Sequence, residues 1–252
     1  MKSSKRFSSA LVLCLLGSVV VGSIARAQDE QVARMRTALA SPERPADAKE
    51  RDGARKPIES VQFVGIKTGM TVIDVFAVGG WFTEVLSAAV GPTGKVFAQN
   101  PQFFVQREGF AERETELHER LGNVQAVHGD LPEAGINGQA DVAVTALNLH
   151  DIYNGPGGET GAVALLKGIY DALKPGGVLG LIDHTGIAGQ DNAAFHRMQP
   201  QQARDALTKA GFTIEAESNI LANPADDHTK GVRDPSVARH TDQFLIRARK
   251  PG

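Results

Sequence analysis

Val72-Ile73-Asp74-Val75-Phe76-Ala77-Val78-Gly79-Gly80-Trp81-Phe82-Thr83 is the stretch that decides the fold. A β-branched run beginning at Thr71 ends in a short loop with two glycines. After the loop Phe82, Val85, Leu86 and Ala89 recur at helical spacing until Gly91-Pro92 stops them. Strand, glycine loop and helix in that order open a βαβ unit, and such units build a parallel sheet. The rhythm repeats outward, predicting further strands over 95–99, 124–128, 140–147, 178–182 and 212–218. Helices are predicted over 80–90, 103–121, up to 173, where Pro175-Gly176-Gly177 breaks the period, and over 201–210 behind Pro200. From Asn219 to His240 the chain is rich in Asp, Asn and Pro and offers no crossover helix. A last strand over 243–249 must therefore return by a loop and pair antiparallel with its neighbour.

Toward the N-terminus the alternation begins near Ile58. Residues 28–57 read as a charged, Ala-rich arm of one or two short helices, with Val32, Met35 and Leu39 at helical spacing. Before it, Lys2, Lys5 and Arg6 precede an apolar run that ends at Ala25-Arg26-Ala27, the pattern of a cleaved secretory leader over residues 1–27. Three segments follow: leader 1–27, arm 28–57 and sheet domain 58–252. The 252 residues carry 27 basic and 29 acidic side chains, a formal charge of -2. The leader takes four basic residues and no acidic ones, so 23 basic face 29 acidic in the mature chain, a net of -6. That balance argues against nucleic acid as a partner. The single cysteine, Cys14, leaves with the leader, so neither disulfide nor thiol chemistry is expected. The expected location is periplasmic or secreted, with no membrane attachment after cleavage.

The glycine loop, Gly129-Asp130 and Leu173-Lys174-Pro175-Gly176-Gly177, in that order and spacing, resemble the class I S-adenosylmethionine (SAM) dependent methyltransferases. The resemblance spans roughly residues 58–249. Arg51-Asp52, Asn148-Leu149-His150-Asp151, Asp183-His184, His196-Arg197, Asp226-Asp227-His228 and Thr241-Asp242 further resemble a group of exported bacterial predicted methyltransferases. The fold implied is α/β and Rossmann-like, a seven-stranded, mostly parallel sheet with one antiparallel strand and helices on both faces. The implied activity is SAM-dependent methylation of a small molecule. The alternative is a non-catalytic, ligand-binding descendant of the fold. A dinucleotide site is disfavoured, because the loop lacks the G-x-G-x-x-G spacing.

Ligands of open α/β sheets sit beyond the carboxyl ends of the strands. Asp74 would there face the cofactor's ammonium, Gly79 and Gly80 would admit its backbone contacts, Asn100 would meet the ribose, and Asp130 would accept from adenine; the resemblance adds Asn148. Two departures weaken this site. Val78 stands where the family has glycine, costing on the order of 1–2 kcal/mol if positive φ is required, and Asn100 replaces the usual acidic residue. For chemistry, His150 and Asp151 after strand four and Asp183 and His184 after strand five should converge on one rim. His150 would be the base and Asp183 its orienter. Asp151 and Asp183 also look like the positions at which catechol-type O-methyltransferases hold Mg²⁺, and the resemblance would make them its ligands. No H-x-x-H or H-x-x-x-H pair supports a metal, and no resident metal is expected. Asp226-Asp227-His228 reads as a solvated turn.

Overall fold

The computed structural model describes residues 10–252, with side-chain burial from residue 25 onward. The basic head of the expected leader lies outside the described residues. From residue 25 onward no helix is long and apolar enough to cross a membrane.

Seven strands form one sheet: β1 (Thr71–Val75), β2 (Lys95–Asn100), β3 (Val124–His128), β4 (Ala140–Ala146), β5 (Leu173–His184), β6 (Thr213–Ser218) and β7 (Gln243–Arg249). Their order is β3-β2-β1-β4-β5-β7-β6. β7 runs antiparallel to both neighbours and the other pairings are parallel, as the missing crossover helix requires. The carboxyl ends of β1, β2, β4 and β5 therefore share one edge, and the chain changes direction beside β1.

Nine helices are described: α1 (Ala10–Leu39), α2 (Ala46–Arg55), α3 (Pro57–Val64), α4 (Trp81–Val90), α5 (Gln102–Val105), α6 (Phe110–Arg120), α7 (Leu149–Asn154), α8 (Gly158–Ala172) and α9 (Pro200–Lys209). Two apolar clusters cover the two faces of the sheet. On one, Leu166 and Ile169 of α8 and Leu207 of α9 pack on Ile73, Leu179 and Leu181. On the other, Val85 and Leu86 of α4 join Met35, Val61 and Val64 over Val72 and Val96. Each such fully buried aliphatic side chain contributes about 1.5–3 kcal/mol. The arm is part of this core: Met35 of α1 and Ala48 of α2 are buried in it.

Four local expectations are corrected. Ile58 lies in a helix, since Pro57 opens α3 at its first turn. The helix expected over 103–121 is two, because Gly109 adopts φ +68° between α5 and α6. β5 begins at Leu173, earlier than 178, and the Pro-Gly-Gly stretch sits inside it at an irregular register with β4. The arm holds one long helix end and a second helix, with α1 continuous from Ala10 through the expected cleavage point.

Candidate functional site

The loop from β1 to α4 is built against its own sequence. Phe76 has φ +57°, Val78 +38° and Gly80 +73°. A left-handed backbone suits Gly80, where a Cβ would also come within 2.4 Å of Leu117. At Val78 the same region is an outlier for a β-branched residue, and its side chain is 40% exposed. The strain expected at Val78 is present, and Phe76 adds a second strained position that the sequence reading missed. Strain of this kind persists only where surroundings over-determine it. Here Asn100 Oδ1 accepts from Val78 N–H at 2.8 Å, and Gln99 binds both Phe76 N–H (3.3 Å) and the Gly129 carbonyl (2.8 Å).

Above this loop lies a cavity of about 730 Å³, between α2, the loop and α6. Ala77 to Gly80, Ala98 and Asn100 form its floor. Gly79 has open space where a side chain would stand. Six carboxylates line the walls (Glu43, Asp47, Glu84, Glu114, Glu116 and Glu119) against three guanidiniums (Arg51, Arg113 and Arg120), a balance that favours a cationic guest. The arm is fastened to the cavity mouth by charge. Buried Arg44 bridges Glu84 (2.7 Å) and Asp52, Arg120 pairs with the other oxygen of Glu84, and Trp81 donates its indole N–H to Ala48 O and Asp52 Oδ1, both at 3.0 Å.

The remaining expected cofactor residues are placed unevenly. Asp74 is buried beneath the loop, away from the cavity lining, where Thr83 donates its hydroxyl to Oδ2 at 2.6 Å. Burial pushes the Asp74 carboxyl up to about 7, against the pull of Thr83 and Arg55. Asp130 is exposed after β3 and does not line the cavity. Asn148 donates to Val75 O at 3.3 Å, joining the end of β1 to the start of α7.

The expected convergence at the β4 and β5 ends is present. His150 Nδ1 meets Asp183 Oδ1 at 2.6 Å, and Asp183 Oδ2 accepts from His150 N–H at 2.9 Å. Asp183 Oδ1 also accepts from His184 N–H at 2.8 Å. His150 Nε2 lies 3.2 Å from Asp151 Oδ1, and His196 Nδ1 lies 2.7 Å from the same oxygen. Burial disfavours a charged His150 ring, yet Asp183 and Asp151 outweigh it and hold its pKa at about 9. Hydrogen bonds from His150 and His196 keep Asp151 far below the usual carboxylate range. His184 is the opposite case: burial lowers it to about 4, so it is neutral at pH 7, with Nδ1 bound to Thr241 Oγ1 at 2.7 Å.

Both oxygens of Asp183 are taken, so the metal-type pairing of Asp151 with Asp183 is not what this geometry offers. Among the described residues the group able to converge on an ion is instead His150, Asp151 and His196, whose ligand atoms lie within 4.8 Å of one another. His196 was missed as a site residue. Its neighbour Arg197 is fully buried and fixes it, pairing with Asp226 through two bonds of 2.9 and 3.0 Å. Asp226 is accordingly a buried anchor, which corrects the solvated-turn reading. Beyond its place among the segments that carry the resemblance, a His-Arg pair in sequence gives no signal for this.

No family model matches the chain, and no curated protein does. Solved structures do. A SAM-dependent methyltransferase from Aquifex aeolicus shares 19% identity over 79% of this chain and 98% of its own, with a TM-score of 0.56. An arsenic(III) SAM methyltransferase from Chlamydomonas reinhardtii shares 17% over 87% of this chain and 73% of its own, TM-score 0.56. A possible exported protein from Bordetella parapertussis shares 18% over 81% and 68%, TM-score 0.52. At these identities the likeness is one of architecture: the chain has the Rossmann-like α/β fold found in SAM-dependent methyltransferases.

Proposed function

We propose that this protein is an exported SAM-dependent methyltransferase acting on a small molecule. One observation carries the reading: an acid-lined cavity large enough for a cofactor lies over the β1–α4 loop and shares Arg51 with a second pocket of about 190 Å³ walled by His184. The larger volume is that of a small-molecule site. The chain's groups fit SAM. Open space at Gly79 admits a close backbone contact, Asn100 stands at the end of β2, and the carboxylate surplus suits a sulfonium and an ammonium. Bound SAM would supply a methyl group on positively charged sulfur, so that transfer leaves a neutral thioether and the acceptor sheds one proton.

The residues of the rim handle that proton. Sequence reasoning assigns the base to His150, but both its ring nitrogens face carboxylates. The proposal moves the role to His184, which is neutral and lines the small pocket. Asp183 and His150 are then positioning residues: Asp183 ties the first turn of α7 to the end of β5 through the N–H groups of His150 and His184, and the His150 ring packs edge-on to His184 at 5.4 Å. With His184 as base, methyl transfer is flat with pH above about 5. With His150 as base it climbs toward pH 9. His184→Gln should remain folded and lose about 10²–10⁴-fold in rate, whereas His150→Gln and Asp183→Asn should lower thermal stability as well. Folded His184→Gln with full activity would sink the assignment.

A second reading, a ligand-binding protein without catalysis, is favoured by the strained Phe76 and Val78. Calorimetric titration with SAM and with S-adenosylhomocysteine, followed by a turnover assay, separates the two: binding without turnover supports this second reading.

A further inference from the structure

Arg51 and Arg55 stand one turn apart on α2, and Arg239 reaches in from the loop before β7. With Leu147, His184 and Thr241 they wall the 190 Å³ pocket, and no carboxylate is among its lining residues. Two of the three guanidiniums are tied outside it by acids of α2: Arg51 to Asp47 at 2.6 Å, and Arg239 to Glu50 at 2.8 Å. Arg55 has neither an ion pair nor a hydrogen bond from its side chain among the described residues. Its guanidinium is positioned by stacking 4.8 Å from the centre of the Trp81 ring. Burial lowers its pKa to about 10, and Arg51 and, least, Arg239 push the same way, against attraction from Asp74 and Asp52. Three like charges are thus gathered at a cost, around a space that none of the protein's own carboxylates fills.

A planar guanidinium with free N–H groups matches an oxyanion through two parallel hydrogen bonds. The neighbouring cavity is carboxylate-rich and this pocket is arginine-rich, with Arg51 on the border of both. We propose, resting on the methyl-transfer reading, that the methyl acceptor is a small organic oxyanion whose charged group pairs with Arg55, between Arg51 and Arg239. Its nucleophilic end is then left beside His184. Carboxylate and phosphate share the required chemistry, and the pocket's size excludes a folded macromolecule from it.

The test uses the mature chain with inorganic phosphate and benzoate as separate probes, at ionic strength fixed with sodium chloride. Thermal stability and calorimetric affinity are read for wild type and Arg55→Met. One or both anions should protect wild type, and Arg55→Met should weaken binding roughly ten- to a hundredfold. Without anion, Arg55→Met should be at least as stable as wild type, since it removes the repulsion. The response to phosphate against benzoate tells which oxyanion the pocket prefers. No protection of wild type by either anion, or equal binding by the variant, overturns the proposal. If Arg55→Met does not fold, Arg55→Lys keeps the charge without the fork: weaker anion binding supports the pocket and unchanged binding overturns it. SAM affinity measured on the same proteins separates the two readings. Absence of anion binding by wild type with SAM binding intact defeats the pocket alone; absence of SAM binding by wild type defeats the methyl-transfer reading, and with it the acceptor role.

Discussion

Two side chains set the cost of the glycine loop and its support, Val78 by its backbone and Asp74 by its proton. Val78 is strained and largely in water, so Val78→Gly removes a left-handed penalty while giving up little burial. Glycine's added freedom in the unfolded chain offsets part of the gain. The expected outcome is a stability change of no more than about 1 kcal/mol, with SAM bound more tightly; weaker binding would show that the valine methyls are part of the site. For Asp74 the sign follows from its raised value. Folded, the carboxyl keeps its proton up to about 7; unfolded, it releases it near 3.8. The folded state binds more protons between those values, so this group's contribution to stability falls as pH rises from about 4 to about 7. Asp74→Asn, which can still accept from Thr83, should match wild type at pH 4 and exceed it in thermal stability at pH 8. A difference independent of pH would mean that Asp74 is not buried in its acid form.

At the level of elements, the strands were the legible part, because alternating β-branched runs bounded by Gly, Pro and Asp leave few other options. The antiparallel return followed from a single absence, that of a helix between Ser218 and Gln243. Gly109 broke an otherwise smooth helical period, and Pro57 turned an apolar run into a helix start; both are local backbone effects that periodicity does not weigh. At the site, convergence of His150, Asp151, Asp183 and His184 was legible because adjacent parallel strands end together. The arginine pocket was not. Arg51, Arg55 and Arg239 come from the arm and from the long loop, segments whose meeting depends on how α2 lies across the sheet edge. That loop is held by the Arg197–Asp226 pair, both partners fully buried. Asp226 also accepts from the backbone N–H groups of Asp242 and His228. Asp226→Asn leaves a buried guanidinium without its counter-charge, and a loss of about 3–5 kcal/mol is expected in chemical unfolding. A loss below 1 kcal/mol would show that the loop has other anchors of equal weight.

For the whole molecule, the proposed function requires export and cofactor chemistry to share one chain. Ala25, Arg26 and Ala27 are exposed on α1, open to a processing enzyme, and mass spectrometry of the exported protein should find Gln28 as its first residue. A retained leader would move the protein to the membrane-anchored class. Gln31, the fourth residue beyond that cut, donates its side-chain amide to the carbonyls of Ile66 (3.0 Å) and Ala89 (2.9 Å), so the arm keeps its anchor. Because α1 runs unbroken through this point, cleavage would also create a new helix N-terminus carrying a free ammonium, where the aligned peptide dipoles already concentrate positive charge. Asp29 and Glu30 lie in the first turn of that shortened helix, the place where carboxylates are favoured by about 0.3–1 kcal/mol each. The same proteolytic step that releases the chain would thus expose a terminus whose compensating charges are already written into the next two residues.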